Sequence, residues 1–204
     1  MKIGLILECS PNGPDQQVCE YLVKQLRPDT EIVSRTLINK KNLINDCGEQ
    51  AALLLQENCQ RVVIVWDLYP PWRPKGEKPC RCEDREAILE SLQRAGVTSK
   101  SVYLICISEE LEAWLIADNR AIEMAISRLT GRKKPKIKEE KNPHSVSKPK
   151  TRLMRIFRQH KASRYKDHIH AIKIVRELES LGLNKIKRSE SFTRFALKAT
   201  DTKI

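Results

Sequence analysis

Arg61-Val62-Val63-Ile64-Val65-Trp66-Asp67 is the stretch that decides the fold. It is an unbroken apolar run, rich in β-branched residues and too short for a helix, that closes on an acid. Ile3-Gly4-Leu5-Ile6-Leu7-Glu8 repeats the pattern near the amino end. Continuous rather than alternating apolarity marks a strand buried on both faces, the habit of parallel sheets. In such sheets functional groups collect at the carboxyl edge. If both runs lie in one parallel sheet, Glu8 and Asp67 emerge at the same edge.

Working outward, Thr30–Thr36 and Ser101–Ile107 read as two further strands, and helix-like segments separate all four. Pro14 sits well in a first helical turn, Val18, Leu22, Gln25 and Leu26 keep helical spacing, and Pro28 follows the end. Ala51, Leu54, Leu55 and Asn58 share a helical face after Gly48. Ile88, Leu89 and Leu92 give a stripe over Glu83–Ala95 that stops at Gly96. Between them, Leu68–Cys82 carries Pro70, Pro71, Pro74, Gly76 and Pro79 and is expected to be a long loop. Leu111, Trp114 and Leu115, then Ile122, Ala125, Ile126 and Leu129, continue as one bent or two separate helices. The alternation predicts an α/β fold, with about four mostly parallel strands flanked by helices and a helical C-terminal extension.

Composition changes at residue 131. Arg132, Lys133, Lys134, Lys136, Lys138, Lys141, Lys148 and Lys150 face only Glu139 and Glu140, which predicts a basic linker of weak order. Three regions result: an α/β domain over 1–130, a basic linker or loop over 131–150, and a helical extension over 151–204 packed on the domain. In the last, helical stripes are formed by Leu153, Ile156 and Phe157, by Ile169, Ile172, Val175 and Leu178 ending at Gly182, and by Phe192, Phe195, Ala196 and Ala199.

The 204-residue chain is 40% hydrophobic, enough for a sizeable core. A formal net charge of +12 points to a phosphate-rich polymer as partner, and nucleic acid is favoured over a membrane because no basic amphipathic anchor stands out. No run approaches the roughly 18 apolar residues of a spanning helix. The seven cysteines are odd in number and scattered, unlike a disulfide framework, so a reducing cytoplasm is the expected location.

A basic chain that holds acids together has a reason to grip a divalent cation. The candidate set is Glu8, Asp67 and the group Glu109, Glu110, Glu112 and Asp118 after the fourth strand. Mg²⁺, with Mn²⁺ as a substitute, needs only one or two carboxylates plus water and substrate phosphate, and a neighbouring carboxylate can move protons. No organic cofactor is expected, since phosphate-loop, nucleophile-elbow and dinucleotide motifs are missing. Each acid also has a structural reading. Glu8 can be a loop acid near a helix start, Asp67 can cap a turn, and Asp118 is a good N-cap for the helix bearing Ile122. Glu109 and Glu112 can be first-turn acids. Cys80-Arg81-Cys82 lacks a second ligand pair for zinc, and His168 and His170 fall on different sides of a helix.

A ridge of Arg152, Arg155 and Arg158, with Lys150, the linker residues Arg132, Lys133, Lys134 and Lys136, and Lys161, Arg164 and Lys166 beyond, is the expected nucleic-acid surface. Its bland alternative is a solvated face. Trp72 can stack on a base or pin the proline loop to the body.

Glu8 and Asp67 after their strands, together with Ile107-Ser108-Glu109-Glu110-Leu111-Glu112-Ala113-Trp114-Leu115-Ile116-Ala117-Asp118, resemble the Toprim (topoisomerase-primase) fold. The chain is most similar to the bacterial Toprim-like family catalogued as domain of unknown function 4276. Lys148-Pro149-Lys150, Tyr165-Lys166 and Ser189-Glu190-Ser191-Phe192-Thr193-Arg194-Phe195 are similar to that family's tail, so the likeness spans nearly the whole chain. The resemblance implies a general acid or base at Glu8, a first metal-binding aspartate at Asp67, and an ATPase partner protein of a defence or repair system. It also asks for Asp-x-Asp, where this chain has Asp67-Leu68-Tyr69. A phenol of pKa near 10 is a poor Mg²⁺ ligand at neutral pH. Glu112 or another acid such as Asp118 then has to complete the site, or catalysis has faded. The expected function is Mg²⁺-dependent phosphodiester hydrolysis on nucleic acid, a nuclease-like activity; the alternative is a non-catalytic nucleic-acid-binding or regulatory subunit.

Overall fold

Every apolar run read as a strand is one. The computed structural model describes residues 1–72, 78–98, 100–180 and 183–204. Pro74 and Gly76 of the expected loop and Gly182, the expected helix stop, lie outside the described residues. Strands β1 (Lys2–Leu7), β2 (Glu31–Thr36), β3 (Arg61–Asp67) and β4 (Val102–Ile107) form one sheet in the order β2-β1-β3-β4. All of its pairings are parallel, with Leu7 opposite both Thr36 and Val65, and Asp67 opposite Ile107. The α/β architecture with a C-terminal helix is therefore as the sequence implies.

Helices α1 (Pro14–Leu26), α2 (Lys40–Gln56) and α3 (Arg81–Arg94) connect the strands. Because each strand is followed by a helix in a parallel sheet, the first turns of these helices sit at the carboxyl edge. Helix α2 starts well before the expected position beyond Gly48. Its N-cap is Asn39, whose side chain accepts from the Asn42 amide at 2.9 Å, and Gly48 lies mid-helix. A methyl group at Gly48 would stand 2.1 Å from the Ser91 carbonyl oxygen of α3, so glycine here marks close helix contact and not a helix boundary. Helix α3 likewise begins at Arg81, which takes Cys82 out of the expected loop.

The chain divides into two units, residues 1–107 with 194–204, and residues 108–193. The composition break at 131 does not coincide with that division. In the first unit, Ile6, Leu43, Ala51, Leu54, Val62, Ile64, Trp66 and Ile88 are among the buried core residues, and Trp72 packs against them. Trp72 thus pins the start of the proline loop. At the carboxyl terminus Arg61 pairs with Asp201, and its guanidinium lies over the Tyr103 ring together with Lys198.

The second unit holds α4 (Glu112–Leu115), α5 (Asn119–Thr130), α6 (Pro149–Gln159) and α7 (Asp167–Ser180); α8 (Glu190–Thr200) starts in this unit and ends in the first. Trp114, Phe157, Tyr165, Ile174 and Phe192 are buried in it. The stretch between α5 and α6 is coil apart from a short 3₁₀ turn at Pro143–Ser145. It is anchored all the same: Ile137 is buried, and its amide donates to Glu123 at 2.8 Å.

On α7 the expected stripe is corrected. Ile169 is exposed, while His170, Ala171, Ile174, Val175 and Leu178 are buried. Steps of three residues fall behind the helical repeat by about 60° each, so positions 169 and 178 cannot share a face.

Candidate functional site

Two acids stand just at the ends of the central strands. Glu8 directly follows β1 and Asp67 ends β3, its neighbour in the sheet. Glu8 is partly buried, and its Oε2 is fully enclosed with no hydrogen-bond partner among the described residues. Burial pushes the Glu8 carboxyl up to about 8. Lys40 pulls it down, Asp15 and Asp84 push it up, and the Asp67 backbone donates a hydrogen bond that favours the ionised form. The dry setting outweighs the cation, so Glu8 carries its proton at neutral pH.

Around these acids the helix starts supply a network that sequence reading missed. Lys40, first residue of α2, is 5% exposed; its Nζ donates to the Leu68 carbonyl at 2.7 Å and lies 3.6 Å from Asp84 Oδ2. Asp84, in the first turn of α3 and 2% exposed, also accepts from Trp66 Nε1 at 3.1 Å. Lys40 therefore fixes the Leu68–Tyr69 peptide, one residue beyond Asp67, and Asp84 holds Lys40. The signal for Lys40 was Asn39 as an N-cap, which Gly48 obscured. Asp84 looks in sequence like an ordinary first-turn acid.

The other expected site acids belong to the second unit. Asp118 is the N-cap of α5: its Oδ1 accepts from the Arg120 amide at 2.9 Å, and Lys185 Nζ stands 3.8 Å away. Glu112, 5% exposed, accepts from the Tyr165 hydroxyl at 3.2 Å. Glu110 accepts from the Lys150 amide at the start of α6. Among the described residues no three histidine, cysteine, aspartate or glutamate side chains are grouped to hold a metal ion.

The basic residues also separate. Lys150 pairs with Asp167, Arg152 with Glu140 at 2.8 Å, and Lys134 with Glu123 at 3.6 Å. Arg132, Lys133, Lys136 and Arg155 are exposed.

A serine–histidine pair at Ser163 and His170, 3.2 Å apart, is structural. His170 Nδ1 accepts from the Lys166 amide at 2.8 Å, so Nε2 carries the ring proton and donates to the serine. Burial holds the ring pKa below its ordinary value and keeps it neutral. Such a ring cannot take the serine proton.

A family described as a domain of unknown function (DUF4276) matches residues 15–198. The chain belongs to that family. The DUF4276 match includes Lys40, Asp67, Asp84 and the Glu112–Asp118 phrase, whereas Glu8 and β1 precede it. No curated protein and no solved structure matches the chain.

Proposed function

We propose that this DUF4276 protein is a Toprim-like, cytoplasmic nucleic-acid-processing protein that hydrolyses phosphodiesters with Mg²⁺ at the carboxyl edge of its sheet. The observation that carries the reading is Glu8, partly buried beside Asp67 with an enclosed oxygen that no donor among the described residues reaches. The net charge of +12 favours a polyanionic substrate.

Glu8 and Asp67 provide hard carboxylate oxygens at adjoining strand ends, which suits Mg²⁺ held by few protein ligands. Asp67 would hold it, with the protonated Glu8 beside it as proton donor and not as a ligand. When bound, the ion supplies charge stabilisation to a phosphoryl oxygen. The chain's own groups do the rest. A protonated Glu8 can give its proton to a leaving oxygen. Lys40, locked by Leu68 and Asp84, keeps the Leu68–Tyr69 peptide that follows Asp67 in place.

A second reading is favoured by two observations. Tyr69 stands where a second metal aspartate is expected, and Lys40 already brings a buried positive charge to the acids. Here the protein binds nucleic acid without cleaving it and works as the subunit of an ATPase partner, as its resemblance implies.

Calorimetric titration of Mg²⁺ and Mn²⁺ into wild type and Asp67→Asn, with cleavage assays on single- and double-stranded substrates, separates the two. Metal-dependent cleavage that falls by about 10²–10⁴-fold in Glu8→Gln, with cation binding lost in Asp67→Asn, supports the enzyme. Nucleic-acid binding that persists in chelator, without turnover, supports the subunit.

A further inference from the structure

Helix α6 closes at its carboxyl end by a turn that reverses the chain. Lys161 adopts the left-handed conformation, with φ 52°, and the Ala162 amide donates to the Phe157 carbonyl at 3.0 Å. This is the Schellman arrangement, made here without glycine. Its consequence is that Arg164 is carried back alongside α6. There it lines a cavity of about 590 Å³ with Thr151, Met154, Arg155, Arg158 and Ala162.

Three properties set this cavity apart from a solvated basic face. Arg155, Arg158 and Arg164 are all exposed, and none has an ion-pair partner among the described residues, whereas Lys150 and Arg152 on the same helix are tied to Asp167 and Glu140. Among the described residues no carboxylate lines the cavity, and Met154 and Ala162 contribute apolar surface to it. Its volume falls in the range of small-ligand pockets, roughly 300–1,000 Å³.

We propose that this cavity binds a nucleoside phosphate, free or as the phosphorylated end of a strand. The guanidiniums grip the phosphate oxygens, for which their planar forked donors are suited, and the base lies against Met154 and Ala162. The ridge of arginines expected from the sequence becomes a pocket, because Arg152 is diverted to Glu140 and Arg164 takes its place. The inference specifies the ligand class of the nucleic-acid reading above but needs no metal and no cleavage.

The test is calorimetry on the full chain in EDTA at low ionic strength, with ADP, GMP and inorganic phosphate as probes. Saturable binding of both nucleotides is expected, tighter than inorganic phosphate. The Arg155→Gln/Arg158→Gln/Arg164→Gln variant should weaken it by about tenfold or more, as loss of charge-assisted bonds requires. Ala162→Phe, which fills the cavity and removes no charge, should weaken it as well. Unchanged thermal unfolding checks that each variant is folded; if the triple variant is not, the single Arg158→Gln substitution serves.

Absence of saturable nucleotide binding overturns the proposal. So does binding that the arginine variant retains, or binding that Ala162→Phe leaves intact, which would mean a diffuse charged surface. Displacement of bound ADP by a 5′-phosphorylated trinucleotide but not by its unphosphorylated form identifies a strand end; displacement by neither identifies a free nucleotide. Either result upholds the site, and because no metal is present, failure here leaves the carboxylate site untouched.

Discussion

Two pairs of acids look alike in sequence and differ in their surroundings. Glu8 and Asp67 follow β1 and close β3, while Glu112 and Asp118 follow β4. In the second pair, Asp118 caps α5 and faces Lys185, and Glu112 receives the Tyr165 hydroxyl. In the first, Glu8 keeps an enclosed oxygen with no hydrogen-bond partner among the described residues and a proton affinity raised by burial. A buried acid whose acceptors are filled by its own chain is holding structure. One left dry and unfilled is poised to exchange a proton or take a ligand.

The largest effect should come from removing the cation that organises the first pair. Lys40→Met leaves Asp84 buried without a counter-charge, which typically costs about 3–5 kcal/mol. Lys40→Met/Asp84→Asn should recover most of the loss, because asparagine still accepts from Trp66 Nε1. Denaturant unfolding of the two variants checks this. A loss under about 1 kcal/mol in the single variant would place Lys40 among solvated surface lysines and remove the distinction between the two pairs.

A smaller effect is expected in the pH dependence of stability. The folded protein holds the Glu8 proton up to about pH 8, whereas the unfolded chain releases it near 4.5. Between those values the native state binds more protons than the unfolded state, so this group's contribution to stability falls as pH rises and levels off above the folded pKa. Glu8→Gln cannot ionise. Its stability relative to wild type should therefore climb across that window, by a few kcal/mol at pH 9, as read from urea midpoints at each pH. A difference that stays flat from pH 5 to 9 would show Glu8 to be as satisfied as Asp118.

The strands were legible because the sheet is buried on both faces, so burial wrote itself into Ile3–Leu7 and Val62–Trp66 as unbroken apolar runs. The carboxyl-edge placement of Glu8 and Asp67 followed from parallel topology alone. Lys40 and Asp84 were not legible, since a buried charge pair is specified by two helix starts that meet only in the fold, and Gly48 suggested that α2 began after it. Arg164 was counted in the basic surface, but its place against α6 was not legible for a similar reason. Its position depends on a left-handed residue at Lys161, which is neither glycine nor asparagine and so carries no turn signal. Ile169 was misread because counting by threes ignores the drift of the helical repeat.

The smallest effect sharpens the comparison most. Asparagine caps a helix as well as aspartate does, because both side chains offer an oxygen to the amide. Asp118→Asn should therefore change stability by only about 0.5 kcal/mol, the remainder reflecting the lost attraction to Lys185 at 3.8 Å. Asp118→Ala, which removes the acceptor of the Arg120 amide, should cost about 1 kcal/mol. If Asp118 only caps, Mg²⁺ titrations of Asp118→Asn will match wild type, while Asp67→Asn loses the cation. Should Asp118→Asn lose it too, Asp118 is a ligand as well as a cap, and filled hydrogen bonds no longer tell a structural acid from a working one in this chain.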